Sequence, residues 1–312
     1  MTTPSPEFLA WAGLIAAIAI LLALDLWVMR GRGGEMTTRA AAVASAFWIT
    51  LALAFGGLLA LTSGGADAGA YLAGYLVEKS LSLDNVFVFL LVFAAFGIAA
   101  NERHRLLSFG IVGALVLRLV FILVGAAALS AFGWLNLVFA AILIWTGWRL
   151  WGGRHDHRAE EQLVAKVRRR LPIADHNDAS GWITREDGRR VLTAAGAVLA
   201  ALIIVDVVFA IDSVPAILAI TDDAYIVFAA NAFALLGLRP LFFLVADLVE
   251  RLYYLKAALA VLLAVIGAKM AASYWIGKIG PEITLPVIAT ILGVGVVASL
   301  VRRARTPAEA IP

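Results

Sequence analysis

Hydrophobic positions along this chain neither alternate nor recur every three or four residues; they run on in long stretches, broken by short polar segments rich in Arg and Gly. An α-helix needs roughly 20 apolar residues to cross the hydrocarbon of a bilayer. The pattern predicts nine spans, near residues 8–28, 40–62, 69–97, 107–130, 132–151, 192–220, 224–247, 255–276 and 283–301. An odd number leaves the termini on opposite faces. The first run is preceded by Glu7 and by no basic residue, and it ends without a small-residue cleavage site, so it reads as a retained helix and not as a removable signal. The expected fold is all-α: a polytopic transmembrane helix bundle forming one transmembrane domain over residues 1–312.

Composition sharpens this picture. Of 312 residues, 62% are hydrophobic and only 15% charged, with a mean hydropathy of +0.93, whereas soluble domains carry about 25% charged residues. The Lys and Arg residues are unevenly placed. Arg30, Arg32 and Arg39 lie between spans one and two, Arg103 and Arg105 between three and four, nine basic residues from Arg154 to Arg190 between five and six, and Arg251 and Lys256 between seven and eight. Arg302, Arg303 and Arg305 follow the last span, while the alternate connections hold little besides Lys278. Because short cytoplasmic loops are enriched in Lys and Arg, the N-terminus is expected outside and the C-terminus in the cytoplasm, in the plasma (inner) membrane. The net charge of +3 then belongs to the inner membrane surface and gives no reason to expect nucleic-acid binding. Cysteine is absent, which removes disulfides and thiolate metal ligands.

Several charges fall inside the apolar runs: Glu78, Lys79 and Asp84 in span three, Arg118 in span four, Asp206 and Asp212 in span six, and Arg239 in span seven. Left unpaired at mid-membrane, six or seven such groups would cost on the order of 15 to 20 kcal/mol, so they must pair, hydrate or bind something. They also repeat. Glu78-Lys-Ser-Leu-Ser-Leu-Asp84-Asn85-Val86 aligns with Asp206-Val-Val-Phe-Ala-Ile-Asp212-Ser213-Val214, and Arg118-Leu-Val-Phe121 with Arg239-Pro-Leu-Phe242. An odd number of crossings separates the two copies, so they run oppositely: an inverted repeat with halves at about 69–151 and 192–276. Transporters of this design place their sites at mid-membrane where the halves meet, often at broken helices. Pro215 is the candidate break, with Ser80 and Ser82 able to satisfy freed backbone groups in the other copy.

Residues six apart on an ideal helix are turned by about 120°, so Glu78 and Asp84 do not share a face, nor do Asp206 and Asp212. One member of each pair can face a common site while the other meets Lys79, Arg118 or Arg239. Asp84 and Asp212, each followed by an oxygen-bearing residue, Asn85 or Ser213, are expected as the central pair. Four carboxylates against Lys79, Arg118 and Arg239 leave the cluster short of one positive charge, which suits a divalent cation exchanged for protons. Carboxylate, amide and hydroxyl oxygens favour magnesium, calcium or manganese over softer metals, and none of the predicted spans contains His or Cys. Asn231 adds a further oxygen within span seven, more usually an interhelical hydrogen bond. Asp25 and Asp247 sit near span ends and Asp222 and Asp223 in an outer loop, where acids are inexpensive. The segment 152–190, with His155, Asp156, His157, Asp175, His176 and Asp178, reads as a cytoplasmic, lipid-contacting linker, with Ala159–Arg170 helical on the membrane surface. Gly110, Gly113 and Gly125 suit close helix packing.

The segments around Glu78–Phe87 and Asp206–Ile217 resemble the two signature segments of the TerC/Alx family of integral membrane proteins, related to the LysE exporter superfamily, over roughly residues 5–305. The resemblance implies metal-ion homeostasis, with manganese export the activity best associated with such proteins, alongside an older link to tellurite resistance. It implies metal-site roles for Glu78, Asp84, Asn85, Asp206, Asp212 and Ser213, and it alone supplies the outward direction of transport. Two other classes stay open: an exporter of an oxyanion or small metabolite held by Arg118 and Arg239, and a non-transporting membrane scaffold. The sequence carries no phosphate-binding loop and no Ser/His/Asp arrangement, so neither ATP-driven transport, nor an enzyme, nor a bound cofactor is expected.

Overall fold

The computed structural model describes residues 5–30, 36–152, 158–174, 181–186, 188–245, 253–277 and 279–305. Their backbone is almost wholly helical, as a chain in lipid requires, because a helix satisfies its own N–H and C=O groups where no water can. The long helices are α1 (Pro6–Arg30), α2 (Thr38–Thr62), α3 (Gly65–Ala95), α4 (Ala100–Ala131), α5 (Leu135–Gly152), α7 (Ala194–Leu218), α8 (Ala224–Leu236) continued by α9 (Leu238–Val245), α10 (Leu255–Ile276) and α11 (Pro281–Arg305). Among the described residues, eight helical segments are long and apolar enough to cross a membrane. The 31-residue α3 is not one of them, because it carries Asp67, Glu78, Lys79 and Asp84. It is nonetheless the centre of the bundle: Tyr71, Val77, Glu78, Ser82, Val86 and Phe93 on it are all fully buried.

Helix neighbours come in matched pairs. α3 packs on α8 as α7 packs on α4, α3 meets α7 as α4 meets α8, and α5 lies along α10. Exchange of α3, α4 and α5 for α7, α8–α9 and α10 leaves this list unchanged, which is the contact pattern expected of two repeated halves. α8 is the most enclosed element, with every residue from Ile226 to Leu236 buried. Outer helices present Phe8, Trp27, Leu61, Trp275 and Ile276 outward, as lipid-facing surfaces do. Gly110, Gly113 and Gly125 of α4 lie against Leu202, Ile203 and Leu218 of α7.

The broken helix is not where Pro215 suggested. α7 continues through Pro215 and ends three residues later, at Leu218, so the missing N–H falls in the last turn, where little ladder remains to break. The interruption lies instead between α8 and α9, at Gly237. Pro240 explains it, since a proline ring clashes with the carbonyl four residues earlier and cannot donate to it, and that carbonyl belongs to Leu236. α3 is continuous, and Ser80 donates to its own turn, Oγ to the Leu76 carbonyl at 2.7 Å.

The linker is more ordered than a solvated loop. α6 (Arg158–Arg170) buries Val164 and Val167 against the bundle, packing on α3 and α7, and Glu160 accepts from Lys256 Nζ of α10 at 2.7 Å. A hairpin of β1 (Ile183–Glu186) and β2 (Arg189–Leu192) follows. Leu163, Val164 and Val167, set at helical spacing among charged residues, make α6 amphipathic, and its apolar face finds protein. The six His and Asp positions of this segment, with Asp247 and Lys278, fall outside the described residues.

α5 and α10 touch through reciprocal glycines. A Cβ on Gly147 would stand 2.7 Å from the Ala260 carbonyl oxygen, and one on Gly267 would stand 3.0 Å from that of Ala140. Both contacts are with backbone, so helix separation is the only relief. Gly147→Val and Gly267→Val should each destabilise the bundle by about 1–3 kcal/mol, read as a lowered thermal midpoint in detergent. Gly13→Val, which meets nothing within 4 Å, should leave that midpoint unchanged.

Candidate functional site

Four core helices each send one polar side chain to a single point: α3 gives Glu78, α4 gives Arg118, α7 gives Asp206 and α8 gives Asn231, with exposures of 0–2%. The guanidinium of Arg118 is the hub. Its Nε and Nη2 fork onto the two oxygens of Asp206 at 3.3 and 3.1 Å, the bidentate geometry that a planar guanidinium offers a carboxylate. Its Nη1 donates to Glu78 Oε1 and to Asn231 Oδ1, the latter at 2.6 Å. Asn231 Nδ2 in turn donates to the Val227 carbonyl at 3.1 Å, which fixes the amide, and Ser82 Oγ donates to Glu78 Oε1 at 3.3 Å.

Two carboxylates against one guanidinium leave a net charge of −1 at the most enclosed point of the bundle if both acids ionise. One acceptor is also left over, since Glu78 Oε2 is buried with no hydrogen-bond partner. A buried charge without compensation is expensive, so this locus calls for a proton or a cation on the free carboxylate oxygen.

Among the described side chains, the carboxylates that meet around Arg118 are Glu78 and Asp206, the first members of the two motifs. Asp84 lies on α3 and its side chain is outside the described residues; Asn85 beside it is buried. Asp212 stands six residues, about 9 Å of helix rise, beyond Asp206 and is only partly buried. The charged groups acting on it are Arg149 of α5 and Glu78. Ser213 is buried, and its Oγ has no partner. Among the described residues no three His, Asp or Glu side chains gather into a metal-binding group. Arg118 stands between the two acids that do meet, Glu78 and Asp206.

The repeat mates Arg118 and Arg239 do different things. Arg239 Nη2 pairs with Asp25 Oδ1 of α1 at 2.7 Å, and its Nη1 donates to Ser108 Oγ at 3.0 Å. Asp25 is thus tied into the bundle, not a free acid at a span end. Lys79 Nζ donates to the Ala234 carbonyl at 3.2 Å, placing an ammonium at the C-terminal end of α8, where helix dipoles favour cations. Gly237 makes the room: a Cβ there would stand 2.8 Å from Lys79 Nζ.

Sequence reasoning passed over two residues. Lys269 of α10 donates to the Ala219 carbonyl at the end of α7, at 3.1 Å, and an isolated Lys in an apolar run was signal enough. His104 lies inside α4, which starts at Ala100 and not near 107, so a membrane helix does hold an imidazole; its ring stacks on Phe243, centroids 3.9 Å apart.

A bundle of membrane-crossing helices with charged residues from two halves locked together in its core defines a polytopic integral membrane protein with an intramembrane ionic site. The chain belongs to the TerC family of integral membrane proteins, whose model matches residues 63–307. It is 42% identical over 302 residues to the uncharacterized membrane protein STKORF319 of Myxococcus xanthus, covering 95% of this chain and 93% of that one. It is 41% identical over 273 residues to Alx of Escherichia coli K12, named as a candidate membrane-bound redox modulator, covering 84% and 85%. A Rickettsia felis membrane protein is 34% identical over 297 residues, covering 95% and 98%. No solved structure matches the chain.

Removing one member of a buried ion pair typically costs about 3–5 kcal/mol, while replacing all members by uncharged groups is close to neutral. Arg118→Met should therefore unfold at distinctly lower temperature than the parent, and the triple variant Glu78→Gln, Arg118→Met, Asp206→Asn should recover most of the loss. Thermal unfolding of the purified chains in detergent checks both.

Proposed function

We propose that this protein is a secondary transporter that exports a divalent cation, manganese first among the candidates, bound at the Glu78–Asp206 locus and exchanged against protons. One observation carries the reading: the locus is one positive charge short, and its free acceptor, Glu78 Oε2, is buried without a partner. A divalent ion or a proton satisfies that oxygen; an anion does not. Arg118 then acts as a tethered cation that holds the acids together when no substrate is present and that an incoming ion must displace. Asp212 and Ser213 of α7 and Asn85 of α3, on the same two helices, add further oxygen donors to the scheme. Oxygen donors without thiolates suit manganese, calcium or magnesium, and family resemblance favours manganese.

The anion-exporter reading fares worse, because the Arg118 guanidinium is already forked onto Asp206 and bonded to Glu78. Redox modulation, named for Alx, would proceed here without thiols, since the chain has no cysteine. Placement in the plasma membrane with the N-terminus outside follows from the Lys and Arg distribution, and the substrate leaves by the outer face. No enzymatic step and no resident cofactor enters this scheme.

In proteoliposomes, manganese flux should fall roughly 10- to 100-fold, the range that loss of groups around a metal site gives, in Glu78→Gln, Asp206→Asn and Asp212→Asn. An oxyanion flux lost in Arg118→Gln, with no manganese flux in the parent, would replace this reading by the anion exporter. Absence of both fluxes, with the Asp variants fully tolerated in cells, would leave a scaffold.

A further inference from the structure

A second ionic cluster lies apart from the carboxylate locus. Asp25 of α1, Arg239 of α9, and His104 and Ser108 of α4 meet on one side of the bundle. Arg239 Nη2 bonds Asp25 Oδ1 at 2.7 Å and Nη1 bonds Ser108 Oγ at 3.0 Å, while the Ser108 hydroxyl donates to the His104 carbonyl at 2.9 Å. Three atoms here are buried with no partner: Arg239 Nε and both ring nitrogens of His104. Arg239 itself is 1% exposed, and its charge acts on the His104 ring. A neutral imidazole carries one donor and one acceptor, so the fold keeps both unsatisfied beside a buried ion pair. Stacking on Phe243 uses the faces of the imidazole and leaves both ring nitrogens without a partner.

Position separates this cluster from the first. Ser108 and Arg118 are ten residues apart on α4, about 15 Å of helix rise. The layer between is apolar: Phe89, Leu107, Ile111, Leu235 and Leu238 enclose, beside Asp206, a cavity of about 10 Å³, room for about one water. Ions do not pass such a layer without movement of the helices.

We propose that Asp25, Arg239 and His104 form a second ionic site, one that takes up the coupling proton, while Glu78 and Asp206 handle the cation. The inference rests on the transport reading and adds the proton's address to it. A proton from water on that side is relayed through His104, whose free ring nitrogens can accept at one and release at the other, and is bound on an Asp25 carboxylate oxygen. The Asp25–Arg239 ion pair becomes an acid beside a cation, and the guanidinium loosens its hold on α1. Loss of the proton restores the pair. Among the described residues, the charged groups at this site are Asp25 from α1, Arg239 from α9 and His104 from α4, while α2, packed on α9, carries only the exposed Arg39. α8 offers none, the α3 ammonium of Lys79 is held by the Ala234 carbonyl, and Asp206 of α7 is held by Arg118.

Two measurements on the full chain test this. The first is pH-titrated infrared difference spectroscopy of the purified protein in lipid without divalent ions, which needs no transport. In a Glu78→Gln background, which removes the C=O band of that acid, a protonated-carboxyl C=O band should appear on acidification and be missing when Asp25→Asn is added, and its pH position should move in His104→Gln. An unchanged band in Asp25→Asn overturns the proposal, as does a titration that tracks the chloride or phosphate concentration, the mark of an anion held by Arg239. The second pairs a manganese-quenched dye with a pH dye in proteoliposomes. Asp25→Asn should retain manganese–manganese exchange while manganese-driven proton movement falls to the level of protein-free vesicles; retained proton movement overturns the proposal. Should Asp25→Asn fail to fold with Arg239 uncompensated, the double variant Asp25→Asn, Arg239→Gln serves for both readouts. A parent chain with no manganese exchange defeats the transport reading, and the infrared result still decides whether Asp25 binds the proton.

Discussion

The guanidinium of Arg118, held between Glu78 and Asp206, is the constraint on which the rest of the bundle depends. All three side chains are at most 2% exposed, in surroundings where an unpaired charge is costly. They come from three different helices, and Asn231 brings a fourth, so α3, α4, α7 and α8 cannot drift apart without breaking bonds that have no water to replace them. This explains why α3, which carries Glu78 and Lys79 in mid-helix, is also central. α3 would be a poor membrane span alone; in the bundle its acids are the reason the two halves stay together. The same bonds hold the halves in one arrangement, so any exchange of access across the membrane must first supply Glu78 and Asp206 with another positive charge.

Much of this was legible in the sequence, for a physical reason. Lipid demands long uninterrupted apolar runs, so the spans announce themselves, and charges inside those runs are conspicuous because they are expensive. The repeat could be read from Glu78–Val86 and Asp206–Val214 because both copies solve the same problem. What was not legible is which charges meet. Helical geometry alone allows either Glu78 or Asp84 to face inward, and a following Asn or Ser pointed to the second; that Glu78 meets Asp206 depends on the reach of the Arg118 side chain from α4, a tertiary matter. Pro215 and Pro240 look equally disruptive in a string of letters. Their effects differ because Pro215 falls where α7 is ending, whereas Pro240 meets Gly237 in mid-passage beside Lys79. His104 escaped notice because a helix end set by hydropathy alone stopped short of α4's first turn.

The repeat is most informative where it fails. α3, α4 and α5 match α7, α8–α9 and α10 in their packing, yet Arg118 and Arg239 differ in partners: one holds the acids of both halves, the other holds Asp25 of α1, a helix outside the repeat. In a transporter built of inverted halves, the two access states arise by rocking one half against the other, and a ligand moves that balance only by binding the states unequally. Arg118 and Arg239 are placed to report those states, since each needs a carboxylate and only one of them has Glu78 and Asp206. In the proposed scheme a cation at Glu78 would lessen the demand for Arg118, and a proton on Asp25 would lessen the hold on Arg239. The charge changes that favour movement in the two halves thus arise at two different sites, kept apart by the apolar layer of Leu107, Ile111, Leu235 and Leu238. On the proposed reading that separation is what exchange as opposed to leak requires: cation and proton would each alter one arginine's partner, with the apolar layer between their sites.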